Sequence, residues 1–149
     1  AYMVAVPFLC PDTPPLKKHP VFLYSSDRFL KPAPFVADIV VSIDSVMDRK
    51  LAAIATMESQ FIEGGAMGNA TKAPKNAAER EAAHARLRES LRRRFSSVAD
   101  RFREKLCELY GEEQGKQVRY AEAFEICEYG RKPNPDELRR LFPFFGEKR

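Results

Sequence analysis

Cysteine is scarce in this chain of 149 residues: Cys10, Cys107 and Cys127 are the only three. Three scattered thiols cannot build a disulfide framework, and without a Cys-x-x-Cys pair a zinc ribbon is excluded. An odd number of free thiols fits a reducing compartment, so a cytoplasmic location is expected. Histidine is scarcer still. His19 and His84 share no HxH or HxxxH spacing, and no metal site is expected from this chain alone. Long apolar runs are missing, and stretches such as Asp38-Ile39-Val40-Val41 fall far short of the roughly 20 residues that span a bilayer. No signal-peptide pattern opens the sequence. Nor does one charge dominate: 25 Lys and Arg face 21 Asp and Glu, a net +4, which is too even for a polybasic nucleic-acid arm.

What is present supports a folded body. Hydrophobic residues make up 44%, with eleven Phe and five Tyr, so disorder by composition is excluded and the length suits one ordinary domain. Ala1 to Val6 reads as the end of a helix, stopped by Pro7, and a proline-rich loop follows. Val21 to Tyr24, bounded by Pro20 and Ser25, reads as a buried strand. Asp38 to Ile43 reads as a second, whose apolar character on both faces suits a parallel or central position. A helix capped by Asp44 or Ser45 is expected next, with Val46, Met47, Leu51, Ile54 and Met57 at helical spacing and Phe61 at its exit. Residues 62–76 carry three Gly, Asn69 and Pro74 and are expected to form a mobile loop.

The longest predicted element is an amphipathic helix over about 76–110. Leu87, Leu91, Phe95, Val98, Phe102, Leu106 and Leu109 step by threes and fours along one face. Seven arginines between Arg86 and Arg103 fill much of the rest, and Glu89 with Arg93 forms a favourable i,i+4 pair. Gly111 stops this helix, a short turn over Glu112 to Gln117 is allowed, and Val118 to Tyr129 alternates like an edge strand but also suits a helix. Asp136 to Phe142 reads as a last amphipathic turn or two.

Self-contained chemistry is hard to find. There is no GxSxG elbow. Glu63 to Asn69 superficially resembles a phosphate loop, but it lacks the Lys-Ser/Thr pair and follows a helix, so a lid over a pocket is the better reading. Cys10 and His19 could pair, although a packed thiol is expected at Cys10. The arginine helix could contact phosphates. Its nine basic residues are balanced by six acidic ones, however, and its aromatic residues lie on the apolar stripe instead of among the arginines.

Several stretches, in order, carry a resemblance. They are Ala1-Tyr2-Met3 through Cys10-Pro11-Asp12-Thr13-Pro14, Pro20 to Tyr24, Asp27-Arg28-Phe29, Ala37 to Asp44, Lys50 to Ile54, Ser59-Gln60, and Tyr120-Ala121-Glu122-Ala123-Phe124-Glu125. Together they resemble the C-terminal part of a PIG-L/LmbE-like N-deacetylase. The most specific piece is a strand, an Asp-bounded Ile-Val-Val-Ser-Ile run, a helix and then Ser-Gln.

The resemblance implies that residues 1–149 are the C-terminal portion of a Rossmann-like α/β domain. It implies amide hydrolysis of an N-acetylated sugar or related small molecule. The complete enzyme would use zinc to polarise the carbonyl and activate water, with a carboxylate as base. The family's His-Pro-Asp-Asp-type motif and its second ligand His have no counterpart in this sequence, and Met57 stands where the family often has a His. No catalytic or metal-binding residue is therefore expected here, and the N-terminal half, as a second fragment, is the expected partner. A truncated sheet would also favour oligomerisation.

What this half can supply is pocket wall. Tyr24, Asp27 and Arg28 follow the first strand on the side where ligands collect in open α/β sheets. Ser59 and Gln60 end the next helix, and Glu122 lies in the Tyr-Ala-Glu-Ala-Phe stretch. Each has a plainer reading: a surface turn at Asp27–Arg28, a helix terminus at Ser59–Gln60, a solvent-facing strand residue at Glu122. The competing function is a non-enzymatic module whose arginine helix binds acidic partners or nucleic acid.

Overall fold

The computed structural model describes residues 5, 6, 8, 10–27, 30–65, 68 and 73–145. Among them the chain forms β1 (Leu23–Ser25), β2 (Ile39–Ser42), α1 (Met47–Ala55), α2 (Glu58–Phe61), α3 (Ala77–Arg101), α4 (Arg103–Tyr110), α5 (Glu112–Gln117), β3 (Ala121–Ile126) and α6 (Pro135–Leu141). The fold is mixed α/β, and its sheet has the order β1-β3-β2. The residues divide into two compact units. The first comprises Ala1–Val41, Phe102–Gln117 and Ala123–Arg149, and the second Ser42–Arg101 and Val118–Glu122.

All the strand pairing is antiparallel. Leu23, Tyr24 and Ser25 face Ile126, Glu125 and Phe124. Asp38 N–H donates to the Phe124 carbonyl and Ile43 N–H to the Tyr120 carbonyl, each at 3.0 Å. Two expectations change here. β2 is an edge strand of this sheet, and β3, expected at an edge if a strand at all, is its centre. Ile39 and Val40 point to opposite faces and are both fully buried. Burial on two faces therefore accounts for the continuous apolar text of β2 without a parallel or central place. In β3 Ala121 and Ala123 form the buried face, and alternation reports that face but not the number of neighbours.

The second unit is built on a helix-on-helix core. Ile43, Met47 and Leu51 meet Leu91 and Phe95, with Ile54, Leu87 and Tyr120 packed against them. Each large side chain buried in this way contributes about 1.5–3 kcal/mol. Ion pairs edge this core: Arg92 with Asp48 at 2.7 Å, Lys50 with Glu122 at 2.8 Å, and Arg80 with Glu58. The Lys50 ammonium also lies 5.0 Å from the centre of the Phe95 ring.

The helix entry differs from the sequence expectation. Neither Asp44 nor Ser45 caps α1, which follows a 3₁₀ turn over Asp44–Val46 without a side-chain cap. The Asp44 carboxylate instead accepts the backbone N–H of Arg119, at 3.0 and 3.2 Å, and of Tyr120, at 2.7 Å. The predicted helix is also interrupted at Met57, whose backbone leaves helical geometry, so that α1 and α2 are separate. Much of the expected 62–76 loop (Ala66, Met67 and 69–72) lies outside the described residues, as do residues 1–4 of the helix end expected over residues 1–6.

The expected 76–110 helix is two helices. Phe102 breaks it with φ −112° and ψ 31°. Its apolar stripe serves two cores: Leu91, Phe95 and Ala99 are buried in the second unit, and Leu106 and Tyr110 in the first. Phe102 packs edge-on against Phe35 with ring centres 6.0 Å apart.

In the first unit α4 and α5 lie almost backbone to backbone. A Cβ on Gly115 would stand 2.5 Å from the Cα of Cys107, so only glycine fits. Arg103 donates to the Gly115 carbonyl at 2.9 Å, which helps fix the end of α5. Tyr110 packs edge-on against Phe145 at 5.3 Å. Asn134 caps α6 by accepting the Glu137 N–H at 2.9 Å, and Arg131 pairs with Glu137. At the end of the sheet, Asp38 accepts the Ile126 N–H at 2.7 Å.

Candidate functional site

β1 is only three residues long, but its register decides what surrounds it. Tyr24 stands directly opposite Glu125 on β3, so the two side chains share a face. Just beyond β3 comes Glu128, and just beyond β1 comes Asp27. The segment Lys31–Phe35, in which the Lys31–Pro32 peptide is cis, closes the remaining side. The result is a cavity of about 390 Å³ walled by Tyr24, Ser25, Asp27, Lys31, Phe35, Glu125 and Glu128 among others, all from the first unit.

The polar groups of this wall are held in place. Glu125 Oε2 accepts the Val36 N–H at 3.3 Å. The Tyr24 phenol is hydrogen-bonded to the Cys127 thiol and to Glu128. Its pKa is pushed up, first by the bond to Cys127, then by partial removal from water, then by Glu128. Tyr24 therefore stays a neutral phenol across the physiological range and presents a hydroxyl instead of a third kind of anion. Phe35 is buried and forms the apolar part of the wall.

Of the six residues nominated from sequence, Tyr24 and Asp27 line this cavity together. Arg28 lies outside the described residues. The other three belong to the second unit. Ser59 and Gln60 are exposed neighbours on α2, and Glu122 is engaged with Lys50. Glu125, Glu128, Lys31 and Phe35 were not nominated. Only the pairing of Tyr24 with Glu125 could have found them, and strand register is not written in either strand separately.

Elsewhere in the second unit, Glu58 receives Arg80 on one oxygen and the His84 Nε2 at 3.5 Å on the other. The His84 Nδ1 is buried and has no hydrogen-bond partner among the described residues. Cys10, expected to be packed, is exposed. On α3, Arg80, Arg88, Arg92 and Arg93 are each paired with a carboxylate. Among the described residues, no three His, Cys, Asp or Glu side chains converge as a metal site. No described helix is long and apolar enough to cross a membrane.

Comparison of the chain with protein-family models, with curated proteins and with solved structures returns no match.

Proposed function

We propose that this chain is the C-terminal, substrate-pocket side of a PIG-L/LmbE-like metal-dependent N-deacetylase, a cytoplasmic hydrolase acting on an N-acetylated sugar or a related small amide. In this reading the antiparallel sheet is the C-terminal portion of a larger Rossmann-like sheet. Zinc, its ligands and the catalytic base come from an N-terminal half carried on a separate fragment, with which the chain pairs. The complete enzyme's metal supplies the polarised carbonyl and the activated water. The residues of this chain bind and orient: Tyr24 offers a neutral hydroxyl, Asp27 an acceptor for substrate hydroxyl or amide groups, and Phe35 a surface that excludes water.

One observation supports the reading most. Tyr24 and Asp27, nominated from the resemblance, line a single cavity together. The competing reading, an arginine helix that docks on acidic partners, is weakened by the carboxylates already paired with four of its arginines.

The test is an intact denaturing mass of natively purified material beside a zinc assay and an acetate-release assay. A co-purifying second polypeptide that brings zinc and activity supports the reading. In that complex Tyr24→Phe and Asp27→Asn should each raise KM more than they lower kcat. A single 17 kDa species without metal or activity overturns it, as does a complex whose activity is indifferent to both substitutions.

A further inference from the structure

Ion pairs leave most of the second unit's surface electrically quiet, and the exception is the outer face of α3. Leu91, Phe95 and Ala99 turn one side of this helix into the core. Arg86, Ser90, Arg93, Arg94 and Ser97 fall on the opposite side at 3.6 residues per turn, and all five are exposed. From Arg86 to Arg94 five arginines stand against Glu89 alone, a net +4, which equals the net charge of the whole chain. Arg88, Arg92 and Arg93 are mated to Glu81, Asp48 and Glu89. Arg86 and Arg94 have no carboxylate partner among the described residues. Two further features set this face apart from a merely solvated one. Every Lys or Arg on α3 is an arginine. Arginine is enriched and lysine depleted where proteins meet, because the guanidinium is weakly hydrated and its planar fork fits a carboxylate. The face also ends in a hollow: Arg86 and Lys75 line a cavity of about 350 Å³ with Ile62 and Glu79. Glu79 is already engaged there, accepting the Lys75 N–H at 2.8 Å and the Asn76 side-chain amide at 3.0 Å.

We propose that the outer face of α3 is a docking surface for an acidic protein segment, with one carboxylate taken by Arg86 at the cavity and a second by Arg94. Eight residues of helix set these two arginines about 12 Å apart along the axis. A helical partner meets that spacing with acidic residues seven or eight positions apart. Ser90, one turn from each arginine, is short and lets the partner approach. The face favours a protein over a nucleic acid. Glu89 and Asp100 are exposed on the same helix, and a polyphosphate presents only anions to them, whereas a protein segment can set a cation opposite each. The Phe95 ring is buried on the other side, so no base can stack on it. Two arginines suffice for this role. The pairing of the others, which argues against the arginine helix as the main function of the chain, leaves the surface intact. No residue of the cavity beside β1 is involved, so the proposal stands apart from the deacetylase reading.

The experiment is an amide-shift titration of the ¹⁵N-labelled full chain at low ionic strength, read at Arg86, Ser90 and Arg94. The probes are an alanine-rich helical peptide with two glutamates eight positions apart, the same peptide with both changed to glutamine, the same peptide with the two glutamates adjacent, and a short DNA duplex. One pair of unit charges about 4 Å apart in water is worth roughly a fivefold change in affinity. The spaced peptide should therefore bind at least about fivefold more tightly than the glutamine peptide, and more tightly than the adjacent form. Arg86→Gln and Arg94→Gln should each lose about fivefold for the spaced peptide. Both side chains are exposed and outside the core, so these variants keep the fold. Lys132→Gln removes the same charge from an exposed position of the first unit and should change the affinity by less than about twofold. Equal binding of the glutamine or adjacent peptide, an equal loss in Lys132→Gln, tighter binding of the duplex, or no shifts at these three amides overturns the proposal.

Discussion

Charge is deployed differently in the two units. In the second, acids and bases neutralise one another at the rim of an aliphatic core: Lys50 with Glu122, Asp48 with Arg92, Glu58 with Arg80. In the first, Arg131 pairs with Glu137, while Asp27, Glu125 and Glu128 share the wall of a cavity with Lys31. Exposed ion pairs add little stability. The pairs of the second unit mainly leave its surface electrically quiet around a packed scaffold. Three acids on one wall of the first unit bring like charges near one another, which adds no stability of its own.

The comparison breaks most readily at the scaffold. Phe95→Ala should cost about 3–5 kcal/mol in urea unfolding, because the ring lies buried against Met47 and Leu51 and supports Lys50. A smaller loss would mean that the second unit is not the better-packed one. In the first unit Gly115→Ala should cost about 1–3 kcal/mol, since the new Cβ meets the α4 backbone. Asp44→Ala should cost about 1–3 kcal/mol and speed hydrogen exchange at Arg119 and Tyr120, whereas Asp44→Asn, which keeps an acceptor oxygen, should cost less.

Acid should loosen α6. The hydrogen bond from Arg131 holds the Glu137 carboxyl below the usual glutamate range. The unfolded carboxylate takes up its proton at a higher pH than the folded one. The contact is therefore fully stabilising above the ordinary range and is lost as pH falls through the depressed folded-state value. Amide exchange across α6 should rise over that window and stay flat in Glu137→Gln. The smallest effect belongs to Arg93→Gln, which removes an exposed i,i+4 pair and should shift stability by no more than about 0.5 kcal/mol.

Much of the scaffold was legible in the sequence. The stripes at Met47, Leu51, Leu91 and Phe95 give the core directly, because helical periodicity is local. The break at Phe102 was not legible, because a stripe that passes from one core to another keeps its period. Asp44 was read as a helix cap, since the residue type and position suit one. Its actual partners, Arg119 and Tyr120, lie 75 and 76 residues away in sequence. For the same reason Tyr24 and Asp27 could be named but Glu125 and Glu128 could not. The former lie in or just after a recognisable strand, and the latter reach the cavity only through strand pairing.

The two aspartates that flank β2 have a consequence for how the chain acquires its structure. Asp38 waits for Ile126, 88 residues later, and Asp44 for Tyr120, 76 residues later. Loop-closure entropy penalises such distant partners, and local contacts form earlier. While the polypeptide is being synthesised, α1 to α5 all emerge before the strand that unites the sheet. Until β3 arrives, the apolar residues of β2 have no strand beside them among the described residues, and in that interval the nascent chain is most exposed to aggregation and most dependent on chaperones.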